Sequence, residues 1–80
     1  MGIGHRRRAI PNRVRVWRAE RHVTQLELAR KSGVAPSRIS LIENSHTEAT
    51  ERERDRLARA LKVDIIEAFP EPPAPEAVAS

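Results

Sequence analysis

The stretch from Thr24 to Asn44 (TQLELARKSGVAPSRISLIEN) carries its own punctuation, which restricts the fold more than any other feature of the chain. Thr24 is a good N-cap, and Glu27 three residues later completes a capping box, in which each residue's side chain satisfies the other's free backbone N–H. A helix therefore starts at Gln25 and runs to Lys31 or Ser32, with Leu28 and Ala29 inward. Gly33 stops it, since glycine takes the left-handed conformation without a Cβ penalty. Pro36 suits the first turn of the next helix, which runs to about Glu43 with Ile39 and Ile42 on its inner face. The stretch is two short helices joined by a tight turn.

The same signals extend along the chain. Pro11 and Asn12 open a first helix with Val14, Trp17 and Arg18 on one side, ending near Arg21 and His22. Thr50 and Glu53 repeat the capping box and open a fourth helix with Leu57, Ala58 and Leu61 inside. Asp64 caps a short fifth helix ending at Phe69, with Pro70 closing it; Ile65 and Phe69 are expected to seal the core and to leave Ile66 outside. Almost no segment alternates apolar and polar residues over strand length. The fold class is all-α, a compact bundle of five short helices. At 80 residues one domain is expected, over residues 10–70, with a flexible basic arm at 1–9 and a disordered Pro-rich tail at 71–80. Cysteine is absent, so the fold relies on well-packed helices or on dimerisation.

These features bound the function. The basic start has no apolar run after its charges, as a secretory leader would, and nothing approaches a membrane span, so a cytoplasmic protein without a membrane partner is expected. His5, His22 and His46 lack zinc-ligand spacing and no Gly-rich phosphate loop occurs, so no metal, cofactor or catalysis is expected. The net charge of +4 suits a polyanionic partner. Lys31 and Lys62 are the only lysines. Arginine's planar fork suits phosphate and guanine, but a base composition rich in arginine codons gives the same bias.

Two short helices about a tight turn let the second of them enter a DNA major groove. Ala29 keeps the helix crossing close, and Val34 plugs the angle between the helices. With Thr24-Gln25, Leu28-Ala29, Gly33-Val34, Ile39-Ser40 and Ile42-Glu43, the stretch resembles the Cro/C1-type (XRE) helix-turn-helix family. The resemblance takes in Val14, Trp17 and Arg18, the segment LARALKV from Leu57 to Val63, and the closing turn from Asp64 to Phe69. It departs from the family pattern at His22, where glycine is usual, at Ala35, where Ser or Thr is usual, and at Glu51 and Arg54, where leucines are usual.

The resemblance implies a sequence-specific regulator of transcription, a repressor, that binds double-stranded DNA as a homodimer through its third helix, residues 36–43. Pro36, Ser37, Arg38 and Leu41 would face base edges. Arg38 either pairs with guanine O6 and N7 or is a solvated surface arginine, and Leu41 either touches thymine methyls, packs on a protein partner or is incidental. Gln25 would grip phosphate at the start of the second helix, and Asn44 is either a phosphate contact or a C-cap. Arg6, Arg7 and Arg8 either wrap the duplex or belong to a solvated tail. Arg18 and Glu43 would form a structural ion pair orienting the reading helix, and Ile66 a dimer contact. No effector domain follows the motif, so no small-molecule ligand is expected. The competing reading is a protein-interaction module of the same fold, such as an antitoxin whose main partner is a toxin.

Overall fold

A computed structural model describes residues 12–70. They form α1 (Val14–Glu20), α2 (Gln25–Ser32), α3 (Pro36–Glu43), α4 (Glu51–Leu61) and α5 (Ile65–Ala68). No strand occurs among the described residues. The arm at 1–9, with Arg6, Arg7 and Arg8, and the tail at 71–80 lie outside them.

The local signals explain the element boundaries. In α2 the Thr24 hydroxyl accepts the Glu27 N–H at 3.0 Å while the Glu27 carboxylate accepts the Thr24 N–H at 2.9 Å. Thr50 and Glu53 repeat this pair of bonds at the start of α4. Gly33 ends α2 at φ 77°, and Pro36 stands at the first position of α3. His22 at φ 55°, Ser45 at φ 59° and Lys62 at φ 62° take the left-handed conformation without being glycine, each in a turn after a helix. The first helix starts later than its opening signals: Asn12 precedes it, accepting the Val14 N–H at 3.0 Å and donating its amide to the Ile42 carbonyl at 2.8 Å.

Val14, Leu28, Ile39, Ile42, Leu57 and Leu61 are fully buried and join all four longer helices in one core. Each fully buried aliphatic side chain stabilises by about 1.5–3 kcal/mol. Ala29, at the crossing, and Val34, after the turn, are buried with them.

The fifth helix corrects one expectation. Ile65 does not seal the core: it is 42% exposed, and Ala68 and Phe69 close that end instead. The Ala68 carbonyl accepts the Arg13 N–H at 2.8 Å, which ties the end of α5 to the residue before α1. Trp17 donates its indole N–H to the Glu67 carbonyl at 3.0 Å, and Arg21 donates to the Leu61 and Lys62 carbonyls at the end of α4. Arg54, at one of the usual leucine positions, lays its guanidinium carbon 5.9 Å from the Phe69 ring centroid. Its buried Nε has no hydrogen-bond partner among the described residues.

Candidate nucleic-acid interface

Helical period sets what α3 presents. Residues 36, 37, 40, 41 and 44 fall on one side of a helix with about 100° between residues, and Ile39 and Ile42 on the other. Pro36, Ser37, Leu41 and Asn44 are exposed, Ser40 is half-buried, and the two isoleucines are fully buried. Leu41 keeps 41% of its surface accessible although it lies mid-helix. The start of α3 has no side-chain cap, because Ala35 at the N-cap has no side-chain acceptor.

A buried polar cluster holds the other end of α3. The Glu43 side chain has no exposed surface, and its carboxylate accepts from Arg18 Nε at 2.7 Å and Nη2 at 3.3 Å. Gln25 donates its amide to the same carboxylate at 2.9 Å, and Arg15 Nε lies 3.6 Å away. Burial on its own raises the Glu43 carboxyl; the hydrogen bonds from Arg18 and Gln25, with the charges of Arg18 and Arg15, outweigh it and hold the group below the usual carboxylate range. Arg18 also donates to the Val23 carbonyl, so one side chain joins α1, the turn before α2 and the end of α3.

Several expected site residues are therefore drawn into this framework. Gln25 points its amide at Glu43 from the first position of α2. Asn44 caps α3, donating to the Ser40 carbonyl at 2.9 Å and accepting from Arg15 Nη2 at 2.8 Å. Arg38, on the flank of α3, forms a two-pronged pair with Glu53, with Nη2 2.7 Å from Oε1 and Nε 2.9 Å from Oε2. Ile66 is 61% exposed beside the exposed Ile65 on α5. Sequence reasoning did not find Asn12, Arg15 or the second role of Glu53. Asn12 and Arg15 carry no local signal for partners some thirty residues away, and Glu53 was legible only as a capping residue.

The described residues hold no group of three or more metal-ligating side chains and no helix long and apolar enough to cross a membrane. No curated protein matches the chain. A family model described as Helix-turn-helix matches residues 14–67, from the first residue of α1 to the third of α5. A match over most of the chain, on a five-helix domain with α2 and α3 joined at Gly33, makes this protein a member of the Cro/C1-type (XRE) helix-turn-helix family of DNA-binding transcription regulators.

Proposed function

We propose that the protein is a repressor that binds a pseudo-palindromic operator as a homodimer, with α3 of each copy in the major groove. The observation that carries this reading is the uncovered side of α3, where Pro36, Ser37 and Leu41 stand exposed on a helix otherwise fixed by the core and by Glu43. A serine hydroxyl donates to or accepts from base edges, and an exposed leucine side chain is matched by a thymine methyl. Among the described residues Gln25 keeps a second amide N–H and its carbonyl oxygen beside the start of α2, where the free N–H groups favour a phosphate. Asn44, Arg15 and the arm residues Arg6, Arg7 and Arg8 supply further phosphate contacts. Such contacts position the protein, and base contacts specify the sequence.

One α3 spans only a few base pairs, too little to select an operator from a genome. Ile66 and Ile65 form the apolar patch on α5 through which a second copy docks, setting two reading helices about 34 Å apart on one face of the duplex. The expected result is binding that weakens steeply with salt, as displaced counterions require, and an Ile66→Glu variant that loses affinity for a full palindrome much more than for a half-site. Titration of labelled duplexes at several salt concentrations measures both. Equal affinity of the wild-type chain for half-site and palindrome would remove the dimer, and no binding to any duplex at low salt would remove the DNA reading.

A further inference from the structure

Arg38 is the only basic residue of α3, and it does not lie on the exposed side of that helix. With about 100° between residues it stands roughly 120° around from the middle of the stripe formed by residues 36, 37, 40, 41 and 44, on the flank toward α4. There both carboxylate oxygens of Glu53 accept from its guanidinium, and Nη2 also reaches the Glu48 carbonyl at 3.4 Å. A planar fork on a carboxylate is the geometry in which arginine is not replaceable by lysine. The same Glu53 carboxylate accepts the Thr50 N–H, so one side chain closes the cap of α4 and holds the arginine. Between the two helices run residues 44–50, from the α3 cap Asn44, through Ser45 in the left-handed region, to the α4 cap Thr50. Each ionised form is favoured here: the hydrogen bond from Arg38 holds the Glu53 carboxyl below its usual range, and the same bond raises Arg38.

We infer that Arg38 reads no base and is a positioning residue, which through Glu53 and the Glu48 carbonyl sets α3 and the 44–50 connection against α4, leaving base discrimination to Ser37 and Leu41. The inference rests on the DNA-binding reading above. Arg38→Met keeps much of the apolar stem and removes the fork. Glu53→Gln keeps an acceptor for the cap and removes the charge.

The experiment selects duplexes from a randomised pool with the wild type, both variants and the double variant, and then measures affinity for the selected duplex. It is run well below the unfolding transition, with folding checked by circular dichroism. Each single variant is expected to bind roughly threefold to tenfold more weakly, the double variant no more weakly than the worse single, and all four to prefer the same base at every position. Arg38→Lys, the mildest change and the safest for folding, is also expected to lose affinity, because it keeps the charge without the fork. A changed base preference in Arg38→Met that Glu53→Gln does not share would overturn the inference, since Arg38 would then be a reader. Wild-type affinity in Arg38→Met and Glu53→Gln, or in Arg38→Lys, would overturn it as well. A wild-type chain that selects no duplex overturns the DNA reading itself, a result distinct from these.

Discussion

At its C-terminal end α3 is held by a carboxylate without solvent exposure, drawn on by Arg18, Gln25 and Arg15 from two other helices. At its N-terminal end the helix has no side-chain cap, and the nearest polar tie is the Arg38–Glu53 pair, whose side chains are 34% and 17% exposed. The difference follows from what each end faces. The C-terminal end is enclosed by α1 and α2, where a charge must be paired or it costs several kcal/mol. The N-terminal end leaves Pro36 and Ser37 open, and a cap there would occupy backbone donors beside the uncovered stripe. One end of α3 is thus anchored by buried electrostatics and the other only steadied from its flank.

The largest expected effect tests that asymmetry. Arg18→Met strands the Glu43 carboxylate with Gln25 and Arg15 alone, and should cost about 3 kcal/mol, at the low end for breaking a buried pair. For a domain of this size that lowers Tm by upward of about 12 °C. Thermal unfolding of Arg18→Met beside Arg38→Met measures it, and an equal loss in the two variants would break the comparison.

A medium effect concerns acid. Glu43 and Glu53 both titrate below the usual carboxylate range when folded, so the stability they contribute is fully present above the unfolded value, about 4.3, and is lost as pH falls through the folded values. Unfolding midpoints should therefore be flat near neutral pH and fall below about pH 4. In Arg18→Met the acid-dependent loss should be smaller and end at higher pH, because burial, which raises the Glu43 carboxyl, is then less opposed and the folded value moves up toward the unfolded one. An unmoved acid limb in that variant would show that Arg18 does not hold the Glu43 charge.

The smallest effect is a gain. His22 sits at φ 55° in the turn whose next residue, Val23, gives its carbonyl to Arg18. His22→Gly relieves the Cβ strain, against a larger entropy in the unfolded chain, and should raise stability by less than about 1 kcal/mol. A lower Tm would mean that the imidazole or the stiffness of the turn supports the Glu43 end.

The helices themselves were legible because their boundary signals act within a few residues. Thr24 and Glu27, Gly33 and Pro36 settle their own backbone bonds whatever surrounds them, and the inward faces of α2, α3 and α4 follow from the 3.6-residue period. α5 was less legible: at four residues it is too short for a period to choose between Ile65 and Ala68, and only its packing against the other helices puts Ala68 in the core.

The sequence by itself determined the element order, the helix-turn-helix at Gly33, the family and the exposed residues on one side of α3. The family resemblance also implied the Arg18–Glu43 pair; tertiary structure alone decided the other polar partners between helices. With 15 Lys and Arg against 11 Asp and Glu, each long arginine side chain has many acceptors within its reach along the sequence. Arg15 finds Asn44 across 29 residues and Arg38 finds Glu53 across 15, because helix packing brings those groups within hydrogen-bond distance. Capping is a property of adjacent backbone, whereas ion pairing between helices depends on where the core sets their axes.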